Sequence, residues 1–214
     1  MSRPIREVLN PRTLSIIGIP KPFHNATLKD FNTSGEEGLI NFKNTIQSYI
    51  DNFGKNIDQN IGLFLTGPNG TGKSFASCIL AKEAYKRRLS VRRCLFTNYI
   101  SEYTKAWGTK DLIDREVIEE EFNMNFRAVE FLVLEEISKE IDSKIAEPIL
   151  EDCLRYREEK GLVTIMCANI NIDQVKQIYG FSIASLIKGN MAIIEVEGKD
   201  FRQKVFFKKI DGGA

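Results

Sequence analysis

The sequence predicts an α/β fold in which a central parallel sheet is flanked by helices. Three observations predict it. Short apolar runs that suit buried strands occur at Ile61–Thr66, Val91–Thr97, Phe131–Leu134 and Leu162–Ala168. Between them lie stretches whose apolar residues recur at helical spacing, and strands alternating with helices imply a parallel sheet covered on both faces. Finally, 214 residues with 43% hydrophobic and 28% charged side chains suffice for one globular domain, with or without a short appendage.

The elements follow in order. Residues 1–35, rich in Pro, Asn, Thr and Ser, form an irregular lead-in and a possible partner-binding segment; residues 36–214 form the main domain. From Glu36 to Phe53, Leu39, Ile40, Phe42, Ile46, Tyr49 and Ile50 mark a helix, and Asn52–Asn60 reads as a polar loop with Gly54. Ile61–Thr66 is a short buried strand that runs straight into a glycine-rich loop. After Lys73, a helix face carries Ala76, Ile79, Leu80 and Ala84, and a second strand follows at Val91–Thr97. The segment Tyr99–Phe122 alternates charge with large apolar residues and is expected to be helical. Phe131–Leu134 is an apolar strand that ends in Glu135-Glu136. Pro148 fits the first turn of a helix, where its missing N–H costs little, and the helix runs to about Lys160 before Gly161. Leu162–Ala168 is a further strand ending at Asn169, and β-rich segments at Met191–Val196 and Lys204–Phe207 close the chain. Ligands of parallel sheets bind at the carboxyl ends of the strands, where the glycine loop, the Glu pair and Asn169 all fall.

Composition excludes several classes. Thirty basic residues against 29 acidic ones leave a net charge of +1, so no bulk field draws nucleic acid and any such contact needs a local patch. No run approaches a membrane span, and Met1–Glu7 lacks the apolar stretch of a signal peptide, so the expected location is cytoplasmic. The four cysteines (Cys78, Cys94, Cys153, Cys167) form no CxxC pair and read as buried free thiols.

The loop Gly67-Pro68-Asn69-Gly70-Thr71-Gly72-Lys73-Ser74 matches G-x-x-x-x-G-K-[ST] at every fixed position, and Phe75 follows it. Glycines let the backbone wrap tightly enough to aim several N–H groups at phosphate oxygens. The helix that follows adds its positive end. In this pattern the lysine reaches the β- and γ-phosphates and the Ser74 hydroxyl binds Mg²⁺, so ATP with Mg²⁺ is the expected ligand. Hydrolysis needs a carboxylate in the magnesium shell and a group that orients or deprotonates water. Glu135 and Glu136 suit these roles in that order, or else begin a solvated loop. Aspartate is usual at the first position, and Glu135 adds a methylene. Asn169 either hydrogen-bonds the γ-phosphate or its water, or caps a strand end.

Two other features are ambiguous. Lys82, Lys86, Arg87, Arg88, Arg92 and Arg93 form the densest basic cluster, which reads either as a solvated helix end or as a DNA contact. Tyr99–Trp107 interleaves aromatics with Lys105, as single-strand platforms do and as core packing also does. His24, the single histidine, reads as a surface or pocket-edge residue and not as a catalytic base.

Taken together, residues from about Ile19 to Arg202 resemble the AAA+ ATPases of the DnaC/IstB type, the helicase-loader and transposition-helper group. The likeness is carried by Ile19–Phe31, by Gly62–Pro68 with the phosphate loop, by Arg155–Lys160 with Thr164–Asn169, and by Glu197–Arg202. It implies a P-loop NTPase fold of AAA+ type and makes residues 36–214 the ATPase domain. It also implies that Lys73 and Ser74 bind phosphate and magnesium, with Glu135 on the metal side and Glu136 activating water. Asn169 then stands as sensor 1 and Arg202 as sensor 2; without the resemblance Arg202 reads equally well as a surface arginine.

Two departures from the family pattern stand out. Leu186 occupies the position expected for an arginine finger within Gly180–Asn190, and nearby Lys188 lacks the planar fork of arginine. Since such a finger contributes roughly 10³ to 10⁵ in rate, hydrolysis is expected to be slow or partner-dependent. The short stretch before the phosphate loop leaves either Met1–Thr13 to grasp a helicase or a different partner.

The resemblance implies a helicase loader in DNA replication, with a replicative helicase and single-stranded DNA as partners and a possible ATP-dependent homo-oligomer. The alternatives are a transposition helper on duplex DNA and a nucleotide-gated adaptor with little hydrolysis. A small-molecule kinase would need an arginine-rich lid, for which residues 108–127 offer Arg115 and Arg127.

Overall fold

The computed structural model describes residues 9–138 and 143–198. Its centre is a sheet of five strands: β1 (Gly62–Thr66), β2 (Val91–Leu95), β3 (Phe131–Ile137), β4 (Val163–Ala168) and β5 (Met191–Glu195). The spatial order is β2-β3-β4-β1-β5, and every neighbouring pair is parallel. The helices are α1 (Pro11–Ile16), α2 (Glu37–Asp51), α3 (Phe53–Asp58), α4 (Lys73–Lys86), α5 (Phe96–Thr104), α6 (Leu112–Phe122), α7 (Ser143–Glu159) and α8 (Ile172–Asn190). No helix among the described residues is long and apolar enough to cross a membrane.

The sheet is buried on both faces, as its apolar runs require. Leu63, Leu65, Val133 and Ile165 pack toward α2, α4 and the lead-in, whereas Phe64, Leu132, Leu134 and Met166 pack toward α5, α7 and α8. Successive side chains on β1 therefore serve opposite cores. The central strands β1 and β4 are buried throughout, while the outer strands β2 and β5 are partly exposed. On α4, Ala76, Ile79, Leu80 and Ala84 are all buried, as their spacing predicts.

Several expectations are corrected. Asn52–Asn60 is no loop: Phe53, 1% exposed, stacks on Phe131 at a centroid distance of 5.7 Å and anchors the short helix α3. The second strand ends at Leu95, because Phe96 turns into the core as the first residue of α5. Tyr99–Phe122 breaks into two helices, and the Asp111 side chain caps α6 by accepting from the N–H groups of Ile113 and Asp114.

Pro148 lies inside α7 and not in its first turn. Ala146, Ile149, Leu150, Cys153 and Leu154 keep a continuous buried stripe through it, and the proline sits on the exposed side. Gly161 ends α7 with φ 63, as expected.

The lead-in is more ordered than its composition suggests. It contains α1 and 3-10 turns at Lys21–Phe23 and Leu28–Asp30, and Leu14, Ile17, Ile19, Leu28 and Phe31 belong to the core on the α4 side. The expected strand at Lys204–Phe207 lies outside the described residues.

Candidate nucleotide-binding site

The loop after β1 is shaped by three left-handed or otherwise positive-φ glycines: Gly67 (φ 137), Gly70 (φ 79) and Gly72 (φ 94). Space also demands glycine at two of them. A Cβ on Gly67 would lie 2.3 Å from the Val196 carbonyl oxygen, and one on Gly72 would lie 2.4 Å from the Phe31 ring. The Thr71 hydroxyl donates to the Pro68 carbonyl at 2.9 Å and closes the loop on itself. Lys73, 8% exposed, lays its ammonium over the loop, 2.7 Å from the Gly67 carbonyl oxygen and 2.6 Å from that of Pro68. Gly72 is the N-cap of α4, so the first turn of that helix opens directly onto the cleft.

The strand ends bring the other groups to this loop. Thr66 pairs with Ala168, and the Thr66 hydroxyl donates to the Ile170 carbonyl at 2.7 Å, which fixes Asn169 beside the loop. On β3, Leu134 pairs with Met166 while Ile137 pairs with Ala168, so one extra residue is inserted at the Glu135–Glu136 pair. Glu136 takes φ 61, a left-handed conformation that is uncommon for a residue with a side chain. The bulge separates the two carboxylates: Glu135 turns inward at 1% exposure, and Glu136 stays exposed. Tyr179 supports the rim by donating to the Ser138 carbonyl at 2.6 Å, and burial pushes its phenol up to about 12.

Lys73, Ser74, Glu135, Glu136 and Asn169, all singled out in the sequence, line one cleft of about 560 Å³. Asn69, Gly70, Gly72 and Phe75 line it too, together with Phe23 from the lead-in. Phe23 meets Phe75 edge-on at 5.8 Å, and Phe31 meets it at 5.6 Å. The Ser74 hydroxyl donates to Glu135 Oε2 at 2.7 Å. A hydroxyl and a carboxylate oxygen held together beside a phosphate loop are the hard donors that magnesium takes, and they fit that ion. Arg202 lies outside the described residues.

Three residues take roles here that sequence pattern did not assign, two of them members of the basic cluster. Ser77, one turn after Ser74 on α4, directs its hydroxyl at Glu135 Oε1 in a short hydrogen bond. Arg93 places Nη2 3.3 Å from the same oxygen. Lys82 is 4% exposed and donates to the carbonyls of Phe23, His24 and Ala26, which fastens the lead-in to α4. Burial first, then the Lys86 charge, lowers its pKa.

The basic cluster is therefore largely structural. Lys86 and Arg87 pair with Glu83, and Arg92 donates to the carbonyls of Asn125 and Ile16 while stacking on Phe126. The aromatic segment also divides, with Tyr99 fully buried and Trp107 63% exposed.

Leu186, at the position expected for an arginine finger, is 8% exposed and packs in the core on the α8 side, whereas Lys188 is exposed. Cys78, Cys153 and Cys167 are buried free thiols, and Cys94 is partly buried. Burial raises all four, with Cys78 pushed up to about 11 and Cys94 to about 12. His24 Nε2 donates to the Ile19 carbonyl at 2.9 Å, at the edge of the lead-in turn.

One solved structure, described as the DnaC helicase loader, matches 83% of this chain and all of its own with a TM-score of 0.62 and 18% identity. The fold is that of an AAA+ P-loop domain. The chain is also 23% identical over 212 residues to the replicative helicase loader DnaC of Escherichia coli (strain K12), which covers 98% of this chain and 82% of the relative. The resemblance to the DnaC loaders thus extends along nearly its whole length. A structure of the replication initiator DnaA bound to AMPPCP and single-stranded DNA matches 90% of this chain and 56% of its own, with a TM-score of 0.66 and 15% identity. No family model matches the sequence.

Proposed function

We propose that this protein is an ATP-controlled loader of a replicative helicase in DNA replication. The observation that carries the reading is the convergence of the phosphate loop and the acidic pair Glu135–Glu136 in one cleft, on a chain similar to DnaC along nearly its own whole length. In this reading the N–H groups of Gly67 and of Asn69–Phe75 bind the triphosphate, and Lys73 exchanges its loop carbonyls for β- and γ-phosphate oxygens. Ser74 and Glu135 would hold a magnesium ion, which supplies positive charge at the phosphates when bound. Glu136, exposed at the cleft rim, takes the proton of the attacking water, and Asn169 orients that water. Phe23 and Phe75 offer an apolar wall for the base. Arg202 serves as sensor 2 by resemblance.

Hydrolysis by the isolated protein is slow. Leu186 offers no guanidinium to a neighbouring subunit, and its side chain faces inward in any case. Single-stranded DNA meets the surface around Trp107, since Tyr99 is committed to the core. Trp107 is the one tryptophan in the sequence, so its fluorescence reports directly on that surface.

The test is co-purification with the replicative helicase of the same organism, with and without an ATP analogue, plus titration with oligothymidylate. Nucleotide-dependent helicase capture and quenching of Trp107 are expected. Absence of capture in both nucleotide states would reject the loader reading. Quenching by duplex DNA alone would move the protein to the transposition-helper class.

A further inference from the structure

The sequence puts glutamate where P-loop NTPases place a metal-binding aspartate, which adds a rotatable bond to a carboxylate that must be held still. The structure shows what holds it. Glu135 Oε1 accepts from the Ser77 hydroxyl and faces Arg93 Nη2 at 3.3 Å, while Arg93 Nε donates to Ser77 Oγ at 3.3 Å. Glu135 Oε2 alone turns to Ser74 and the cleft.

Arg93 is itself fixed from behind. Its Nη1 donates to the Gly18 carbonyl at 3.1 Å, and its backbone N–H donates to the Ile17 carbonyl at 2.8 Å. Gly18 has φ 94, and a Cβ there would meet the Arg93 carbonyl oxygen at 1.8 Å. The lead-in, the edge strand β2 and helix α4 thus converge on one oxygen of one carboxylate.

We infer that Arg93 and Ser77 are positioning residues that occupy Glu135 Oε1, so that only Oε2 is offered to a cation beside Ser74. The inference rests on the reading of the cleft as a magnesium–nucleotide site. It has a specific consequence. A carboxylate limited to one oxygen suits the small, octahedral Mg²⁺, whereas Ca²⁺ readily takes both oxygens of a carboxylate. The clamp therefore favours Mg²⁺ over Ca²⁺. It also makes the orientation of Glu135 depend on the seating of Ile17–Gly18 against β2.

The experiment measures the affinity of a fluorescent ATP analogue as a function of Mg²⁺, of Ca²⁺, and in EDTA. It uses the wild type, Arg93→Met, Ser77→Ala and the double variant R93M/E135D. In Arg93→Met the Mg²⁺ midpoint should rise about tenfold, the cost typical of losing a group that orients a metal ligand. The Ca²⁺ midpoint should rise less, and affinity in EDTA should stay the same. Ser77→Ala removes only a hydroxyl and should shift the Mg²⁺ midpoint in the same direction by a smaller factor. Adding E135D to Arg93→Met should recover part of the loss, because the shorter side chain has fewer orientations to restrict.

Unchanged Mg²⁺ midpoints in a folded Ser77→Ala and Arg93→Met would overturn the inference while leaving the nucleotide site intact. Equal losses in EDTA and in Mg²⁺ would do the same, since they would mark a merely structural role. A wild type that binds no nucleotide in any of the three conditions would overturn the site and the inference together.

Discussion

Arg93 and Arg157 are both drawn inward against the sheet, yet their surroundings differ. Arg157, 1% exposed, sits at the amino ends of β3 and β4 and donates to Thr164 Oγ1 and to the carbonyls of Arg127, Val129 and Val163 at 2.6–2.8 Å. All four acceptors are uncharged, and burial lowers its pKa to about 10. Arg93, beside the carboxyl end of β3, faces the Glu135 carboxylate. A guanidinium shared among carbonyls ties elements together and is available for nothing else. A guanidinium on a carboxylate that lines a cleft can set what that carboxylate does. Burial alone does not tell a structural cation from a working one; the partner does.

Arg157→Met strands three carbonyls and a hydroxyl, each worth about 1–3 kcal/mol when left unpaired. The expected loss is therefore about 3 kcal/mol or more, a large share of the roughly 5–15 kcal/mol of a typical domain. Urea denaturation measures it, and a midpoint close to the wild type would mean that Arg157 is dispensable. Glu136→Gln acts at the opposite end of the sheet and should leave that midpoint alone. ATP turnover at saturating partner should instead fall about a hundredfold or more, as loss of a general base predicts. Undiminished turnover would remove Glu136 from the mechanism.

Two smaller effects sharpen the contrast. Leu186→Arg restores the residue type expected of a finger, but at a position that is 8% exposed. It should cost about 2 kcal/mol through burial of an unpaired polar group and give no gain in turnover. A faster enzyme would show that α8 can turn this position outward. Gly18→Ala forces a Cβ onto the Arg93 carbonyl oxygen and should cost about 2 kcal/mol or more, as left-handed strain and local overpacking add. Thermal melting would detect it, and an unchanged melting temperature would mean that the lead-in shifts away freely.

What the sequence disclosed follows the same division. The phosphate loop, the strand ahead of it, the Glu pair and Asn169 were legible because each rests on local pattern: fixed spacing, a run of apolar residues, a strand end. The bulge that separates Glu135 from Glu136 was not, because it appears only in the pairing of β3 with β4. Lys82 and Arg93 look like members of a surface cluster in one dimension. Their lead-in acceptors, the carbonyls of Phe23, His24, Ala26 and Gly18, belong to a segment that its composition marks as irregular. Pro148 misled for a related reason, since an exposed proline inside a helix with a strong buried stripe costs less than the stripe supplies. Ser77 had a usable signal, a hydroxyl one turn from Ser74 on the helix face that meets β3.

Every role proposed for these residues requires that a nucleoside triphosphate bind in the cleft formed by Gly67–Ser74 and the acidic pair. Calorimetric titration of ATP with Mg²⁺ into the wild type and into Lys73→Ala tests this most directly. The wild type should bind, and the variant, folded by circular dichroism, should bind about tenfold to a hundredfold more weakly, the share of one charged hydrogen-bonding group. Equal affinity in the two proteins would place the nucleotide elsewhere and contradict the account.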